Sequence, residues 1–442
     1  MSKLFGTDGA RGIVGKELNA TLAFKIGAST AKVFKESYKK KLTFLVGTDT
    51  RISKDILSSA LISGVLSENA NVIDLKILPT PALSYLVQKY KADGAFVISA
   101  SHNPSEYNGI KVLDSNGIKI SEEIEEKIEE YVNDFKENTA INTVGTILYK
   151  ENALNDYVNY LKETITENIN HIKILLDVAN GASYKTANLL FTKLNANYKI
   201  INNNPDGLNI NENCGSTHIE NLKNKVTKGK FDIGISYDGD ADRVMLVDHE
   251  GNVVDGDFIL AIASKYLNID SIVGTVMSNL GLIKFCEKNN IKFISTKVGD
   301  KYVLEEMLKN NYILGGEQSG HIIFKNFANT GDGELSSLQI LNIMTKHNKS
   351  LKELASIMEK YPQVNSNIEA NNLQKEIFKT NNKIKEKINE YENLLGSNGR
   401  IVARPSGTEN LIRIMFEGND INLITKYSKE LCEYIKKIIN EW

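Results

Sequence analysis

The chain has 442 residues, 41% of them hydrophobic and 24% charged, with a formal net charge of −2; that length exceeds one hydrophobic core and predicts three or four domains. A near-neutral balance excludes a general attraction to nucleic acid or to an anionic membrane, so any anion must be held by local sites. No apolar run reaches the roughly 18 residues that span a bilayer. The start "MSKLFGTDGARG" carries no apolar signal segment, and the scattered Cys214, Cys286 and Cys432 form neither a disulfide framework nor a zinc pattern, so the expectation is a soluble, cytoplasmic protein.

In chain order, "FGTDGARG" (5–12) and "VGTDTR" (46–51) are Gly/Asp/Arg turns; Arg11 is placed to reach an anion, while Asp49 and Arg51 read as a structural pair. The segment "VISASHNPSEYNGIK" (97–111) starts as a buried strand and breaks into hydroxyls, a histidine and a proline. "SEEIEEKIEEYVNDF" (121–135) spaces Ile124, Ile128, Tyr131 and Val132 as one helical face, with Ser121 as its cap.

Two kinds of segment then recur. "KLTFLVGTDTRIS" (41–53), "HIKILLDVANGAS" (171–183) and "DSIVGTVMSNLGL" (270–282) are each an apolar run, a polar turn and a helix-compatible stretch. Each is followed by an apolar strand ending in a charged or hydroxyl-rich loop: "GAFVISASHN" (94–103), "FDIGISYDGDADR" (231–243) and "YILGGEQSGH" (312–321). Strands alternating with helices, in three copies, predict three similar α/β domains. "LKELASIMEKY" (351–361) predicts a helix up to Pro362, and "QVNSNIEANNLQ" (363–374) a connection. The tail reads helix (383–395), two strands about a turn (399–418) and an amphipathic helix (422–442), a smaller α+β domain. The predicted divisions are 1–150, 151–250, 251–365 and 366–442.

The loops carry the chemistry. In "DGDADR", Asp238, Asp240 and Asp242 can aim oxygens at one point, which suits a hard divalent cation, Mg²⁺ above others. An EF-hand is excluded, because Arg243 stands where its glycine belongs and His249 where its final glutamate belongs. A haloacid-dehalogenase Asp-x-Asp nucleophile and a solvated turn are the other readings. "ARPSGTEN" (403–410) offers Arg404, Ser406, Gly407 and Thr408 to an anion, although a plain hairpin turn would look the same. "GGEQSGH" (315–321) sets Glu317, Ser319 and His321 at alternate positions, as a hydroxyl-rich ligand requires and as a simple turn allows; Lys297 and Lys301 in "TKVGDKYV" mark a further ligand loop.

Ser101 has no hydrolase setting. His102 is adjacent, and on an extended segment neighbouring side chains point opposite ways, so it does not serve as base; no G-x-S-x-G elbow surrounds the serine. The remaining role is to carry a phosphoryl group, with the Asp-rich loop and Lys111 as its counter-charges, while Ser99 finishes the strand.

Taken together and in this order, "SASHNP", "DGDADR", "GEQSGH" and "RPSGTEN" resemble the α-D-phosphohexomutase superfamily, with similarity from residue 5 to about 418. The form "GGEQSGH", with "FGTDGARG" before it, is similar to the bacterial phosphoglucosamine mutase branch; phosphomannomutase/phosphoglucomutase relatives usually carry Met at the place of Gln318 and are the alternative. Ala10 departs from the Ile or Val of many relatives. The resemblance implies four domains around a central cleft and interconversion of glucosamine 6-phosphate and glucosamine 1-phosphate through a 1,6-bisphosphate, on the route to UDP-N-acetylglucosamine. It implies Ser101 as the phosphoserine, and Mg²⁺ on Asp238, Asp240, Asp242 and the phosphoryl oxygen of Ser101. Arg243, Lys111, His102 and Arg11 would surround the transferring group, with Lys111 or His321 as acid or base. Glu317 and Ser319 would contact the sugar, and Arg404, Ser406, Gly407 and Thr408 the other phosphate. The implied partner is a small sugar phosphate, with no nucleic acid or membrane; a homodimer stands as the assembly to test.

Overall fold

The computed structural model describes residues 4–6, 8–37, 40–136, 144–406 and 410–440. The first sheet contains β1 (Ala10–Ile13), β2 (Thr43–Thr48), β3 (Asn71–Ile77), β4 (Gly94–Ile98), β5 (Tyr107–Asp114) and β6 (Ile147–Tyr149), in the order β1-β5-β4-β2-β3-β6. The second holds β7 (Lys173–Asp177), β8 (Asn197–Ile201), β9 (Ile233–Tyr237), β10 (Val244–Asp248) and β11 (Val253–Val254), in the order β11-β10-β9-β7-β8. The third orders β12 (Ser271–Thr275), β13 (Lys292–Thr296), β14 (Leu314–Gly316) and β15 (Ile322–Phe324) as β13-β12-β14-β15. The fourth is antiparallel: β16 (Gln363–Glu369), β17 (Gly399–Pro405) and β18 (Leu411–Gly418), in the order β16-β18-β17.

One plan recurs in the first three sheets, as the sequence repeat predicts. A central strand (β2, β7 or β12) pairs in parallel with the next strand on one side and the third on the other, and the third turns back into an antiparallel fourth. The third strands β4, β9 and β14 are buried along their whole length, which accounts for their near-continuous apolar runs. Each loop carrying "SHNP", "DGDADR" or "EQSGH" is the connection from third to fourth strand, so the repeat delivers all three to equivalent places. The fold is α/β throughout these units and α+β in the tail.

Apolar packing is continuous from Leu45 and Leu83 through Leu176 and Ile235 to Ile272 and Leu338. The fourth unit buries a separate core around Ile368, Ile414, Phe416, Leu431 and Ile435. Its tie to the third unit is polar. The fully buried Glu417 accepts from Leu280 N at 3.0 Å and from Arg400 Nε at 2.6 Å, and Arg400 Nη2 donates to Ser278 O. No helix of the described residues is long and apolar enough to cross a membrane.

Three local expectations are corrected. The helix predicted over 351–361 spans only Leu351–Ala355, behind a Ser350–Glu353 capping box; past it Met358 N turns back to Ala355 O, and Asn279 takes both backbone groups of Tyr361. The stretch 363–374 is strand β16 followed by a helix, Asn372–Thr380, rather than a connection. Ser366 puts a polar residue on the inward face between Val364 and Ile368, and the outward Asn365 and Asn367 are poor strand formers, so the strand signal is weak. The second sheet also runs past residue 250, since β11 pairs with β10 through Val254. By contrast the helix Glu122–Asn133 forms as expected, with Ser121 accepting from Ile124 N.

Gly320 stands where the third unit meets the second. Its φ is +92°, its carbonyl accepts from Val244 N at 3.1 Å, and a Cβ there would lie 2.1 Å from the Val244 carbonyl oxygen. Gly320→Ala should therefore lower the unfolding free energy by roughly 1–3 kcal/mol, read from urea denaturation; an unchanged midpoint would mean that this junction is not as tight as described.

Candidate active site

Asp238, Asp240 and Asp242 follow β9 on a curled turn in which Ala241 takes a left-handed φ of +56°. All three are buried, and they bring carboxylate oxygens within 4.8 Å of one another. Ser101 Oγ donates to Asp238 Oδ2 at 2.7 Å. Asp240 Oδ2 accepts from Thr80 Oγ1 at 2.6 Å and from Lys111 Nζ at 3.0 Å. Lys111 Nζ is also 3.6 Å from Asp242 and 3.1 Å from Asp8.

Burial and the neighbouring Asp242 and Asp240 push the Asp238 carboxyl well up. Burial acts the same way on Asp242, but Lys111, His321 and Arg243 outweigh it and hold that carboxyl below the usual range. Asp240 Oδ1 and Asp242 Oδ1 are buried without a hydrogen-bond partner. Two orphaned carboxylate oxygens facing a third carboxylate, with a serine hydroxyl beside them, fit a hard divalent cation with oxygen ligands.

The serine loop is held rigidly. Ser101 is fully buried at φ +52°, a conformation costing a non-glycine residue on the order of 1–3 kcal/mol. The buried Arg51 offsets that cost. Its Nη2 donates to Ser101 O at 3.1 Å and to Asn103 O at 2.7 Å, its Nη1 to Pro104 O, and its Nε to Asp49 at 2.9 Å. Asp49 in turn accepts from Ser99 Oγ at 2.7 Å, and Ser99 Oγ accepts from Ser101 N at 2.9 Å. Asp49 and Arg51 are a structural pair, as the sequence suggests, and what they hold is the serine. Gly239 packs against the same point, for a Cβ there would lie 2.5 Å from Ser101 O.

The left-handed turn overturns one expectation. Because Ser101 is not extended, His102 points to its side, with Nδ1 3.5 Å from Ser101 Oγ. His102 still does not serve as base in this arrangement. Arg243 Nη1, which can only donate, lies 3.2 Å from Nδ1 and occupies that lone pair. Burial, with Arg243 and Arg11, lowers the imidazole pKa from 6.5 to about 4.

A ring of charges completes the floor. Asp8 pairs with Arg11, Lys111 and Lys119; Lys119 Nζ also donates to Asp300 at 2.6 Å. Burial lowers the tendency of Lys111 to hold a proton, but Asp240, Asp8 and Asp242 outweigh it, so it stays an ammonium. His321 Nδ1 is 3.6 Å from Asp242 Oδ2, and Nε2 accepts from Gly331 N at 3.0 Å. Glu317 Oε1 accepts from Gly299 N at 3.1 Å, and Ser319 Oγ is buried without a partner. Ser101, His102, Lys111, Arg11, Arg243, the three aspartates and His321 are thus brought together, with Glu317 and Ser319 on the adjoining loop.

In the fourth unit, Arg404 faces Arg413 in the β17–β18 register, and Ser406 lies over Lys375, whose Nζ donates to Ser406 O at 3.2 Å. Arg404 Nε is buried without a partner, which leaves a guanidinium donor open to an anion. Gly407 and Thr408 lie outside the described residues. Asp8, Lys119, Asp300, Asn211, which donates to Ser101 O at 2.9 Å, and Arg413 were not expected from sequence; only pairing across elements reveals them. Lys301, expected as a ligand residue, lies 3.5 Å from Glu122, and Lys297 stands over the Tyr302 ring.

A fold of three like α/β units with a carboxylate cluster, a buried serine and a cationic turn defines a class of phosphoryl-transferring enzyme, and the comparisons agree. Models of the phosphoglucomutase/phosphomannomutase family match all four parts: α/β/α domain I at residues 2–139, domain II at 155–251, domain III at 255–361 and the C-terminal domain at 366–433. The chain belongs to this family. It is 49% identical to the phosphoglucosamine mutase of Clostridium acetobutylicum and 48% to that of Clostridium novyi, with 100% of both chains covered in each case. A phosphoglucomutase/phosphomannomutase family protein from Burkholderia thailandensis shares the fold with a TM-score of 0.83 at 21% identity, over 99% of this chain and 98% of that one.

Arg51→Met should cost about 3–5 kcal/mol in denaturant unfolding, since it leaves Asp49 buried without its counter-charge; a loss under 1 kcal/mol would contradict the role given to the pair. His102 should be neutral above about pH 6.5 and titrate near pH 4 by NMR. Because the unfolded chain takes up that proton first, this group's share of stability is lost as pH falls through the window between those values. A midpoint near 6.5 in the folded protein would refute the assignment.

Proposed function

We propose that the chain is a phosphoglucosamine mutase that interconverts glucosamine 6-phosphate and glucosamine 1-phosphate through a phosphoserine at Ser101 and glucosamine 1,6-bisphosphate. The observation that carries this reading is the hydrogen bond from the buried Ser101 Oγ to a cluster of three carboxylates, with Lys111 and Arg243 in reach of the cluster. Phosphoryl transfer asks little covalent chemistry of a protein and much positioning and charge, and both are present.

Asp238, Asp240 and Asp242 would hold one Mg²⁺ together with a phosphoryl oxygen on Ser101, and such an ion, when bound, offsets charge on the group in transfer. Lys111, kept cationic by its carboxylates, and Arg243 and Arg11 supply fixed positive charge around that group. His102 acts as a neutral neighbour whose Nδ1 is engaged by Arg243. His321, engaged at both nitrogens, orients Asp242. Glu317 and Ser319 contact sugar hydroxyls, and Arg404 and Ser406, with Arg413 and the turn containing Gly407 and Thr408, hold the phosphate that is not being transferred.

In the first half-reaction the bond from phosphorus to Ser101 Oγ breaks as a bond forms to the sugar O1, and a proton passes overall from that hydroxyl to the serine oxygen. The bisphosphate then turns round, and its other phosphoryl group returns to Ser101 with the opposite proton movement. The four divisions at 1–150, 151–250, 251–365 and 366–442 belong to this reading, supported by the extents of the family matches. So do a cytoplasmic site, a place on the route to UDP-N-acetylglucosamine, the absence of nucleic-acid and membrane partners, and a homodimer as the assembly to test.

Ser101→Ala should lower turnover by about 10³-fold or more while sugar-phosphate binding persists; normal turnover would refute the mechanism. Chelation of divalent cations should abolish turnover and added Mg²⁺ restore it. Preference for glucose 1-phosphate over glucosamine 1-phosphate, with activating bisphosphate in excess, would overturn the substrate assignment in favour of a phosphomannomutase/phosphoglucomutase.

A further inference from the structure

The short stretch Gly331–Asp332–Gly333 touches two parts of the site through its backbone. Gly331 N donates to His321 Nε2 at 3.0 Å, and a Cβ on Gly331 would lie 2.6 Å from the imidazole ring. Because Nε2 accepts, the proton of the neutral ring belongs on Nδ1, which faces Asp242 Oδ2 at 3.6 Å. Two residues on, Gly333 N donates at 2.9 Å to the carbonyl of Ala241, the left-handed residue between Asp240 and Asp242. A Cβ on Gly333 would lie 2.5 Å from Arg243 O. One stretch of backbone therefore holds both the histidine and the aspartate turn at close contact.

The stretch is itself fixed through Asp332. This residue caps the helix Gly333–His347, with Oδ1 accepting from Leu335 N at 2.9 Å, and its N–H donates to Ile322 O at 3.4 Å. That much is helix capping, which serine or asparagine also performs. The second oxygen goes further, for Asp332 Oδ2 accepts from the Tyr157 hydroxyl at 2.8 Å, across 175 positions of sequence. Tyr157 is fully buried in the helix Ala153–Glu163, which follows the last strand of the first sheet. Its ring packs against Tyr85 and Tyr160, with centroids 6.5 and 6.4 Å away. A buried tyrosine hydroxyl needs a partner, and here the partner is Asp332. Asp332 is 1% exposed, too enclosed to meet a substrate, so its effect on the reaction passes through its two glycine neighbours.

We propose that Asp332 is a positioning residue: tied to Tyr157, it sets the Gly331–Gly333 backbone so that His321 keeps its proton on Nδ1 and the Asp238–Asp242 turn keeps the shape that receives a divalent cation. Phosphoryl transfer depends on the placing of charge, so a turn whose carboxylates shift loses catalysis before it loses substrate binding. Groups one step removed from a metal site change affinity or activity by roughly 10- to 100-fold when removed. The role in turnover rests on the mutase reading, whereas the effects on the cation and on His321 need no substrate.

Three variants of the full chain test this. Asp332→Ser keeps a capping hydroxyl but is too short to reach Tyr157, and Tyr157→Phe removes the same hydrogen bond from the other side. Asp332→Asn is the conservative variant, since its amide can donate to the tyrosine oxygen while its carbonyl caps the helix. The Ser and Phe variants should lower kcat by about 10- to 100-fold with KM for the sugar phosphate within about 3-fold of wild type. They should also weaken Mn²⁺ binding, followed by electron paramagnetic resonance, by about 10-fold. In ¹⁵N NMR of the metal-free protein with its imidazole neutral, wild-type His321 should show an unprotonated Nε2 and a protonated Nδ1. In the Ser and Phe variants the two signals should move towards each other as both tautomers fill, and Asp332→Asn should restore all three properties. Unchanged Mn²⁺ affinity or an unchanged His321 tautomer in both folded variants would overturn the role. So would a kcat that falls only in step with the folded fraction in urea. Failure of wild type to turn over glucosamine, glucose or mannose 6-phosphate would refute the mutase reading, and the Mn²⁺ and ¹⁵N results would then decide the role of Asp332 by themselves.

Discussion

Everything at the centre of this molecule answers to one electrostatic constraint: three carboxylates are held, buried, within 4.8 Å of one another. Left alone they would repel and take up protons. The surroundings divide the problem between them. Asp242 is kept anionic by Lys111, His321 and Arg243, Asp240 is bound by Thr80 and Lys111, and Asp238 receives the Ser101 hydroxyl. The oxygens still unpartnered, on Asp240 and Asp242, define where a cation belongs. Lys111 is then itself too highly charged a neighbour to stand alone, and Asp8 and its further partners Arg11 and Lys119 follow as the next layer of compensation.

The serine obeys a steric constraint of equal consequence. Its hydroxyl reaches Asp238 only because the residue adopts a left-handed conformation, and that conformation persists because Arg51 and Asn211 take its carbonyl and Ser99 its amide. The loop is thus over-determined from the first and second units together, and the Gly239 contact leaves no slack between the serine and the aspartate turn. The same turn also brings His102 beside the serine, where a reading of the extended chain places it on the opposite side.

Repetition of one strand plan explains how so much chemistry converges. Three units share a strand order in which the third strand, buried on both faces, ends in a loop and turns back, so the serine, aspartate and Glu-Gln-Ser-Gly-His loops occupy equivalent positions in their sheets. The fourth unit stands apart, with its own core and a polar seam through Glu417, Arg400 and Ser278. Its contribution is cationic: Arg404 and Arg413 face each other across strands, and Arg404 Nε is left without a partner.

The three α/β units, the loops that matter and the residue types within them were legible in the sequence. Continuous apolar strands, abrupt polar loops and clustered carboxylates are local patterns, and local patterns survive in one dimension. Strand β16 was not legible, since the polar Ser366 interrupts its inward face, its asparagines are poor strand formers, and its pairing with β18 lies some fifty residues away. Nor were Asp8, Lys119, Asp300, Asn211 and Arg413, each ordinary among its neighbours and meaningful only through a partner on another element. The sequence by itself determined which chemistry could be present: a hydroxyl, three carboxylates and a cationic turn. Only the tertiary structure decided which groups stay charged and which lone pairs are free, because burial and charge pairing arise when distant segments are packed together.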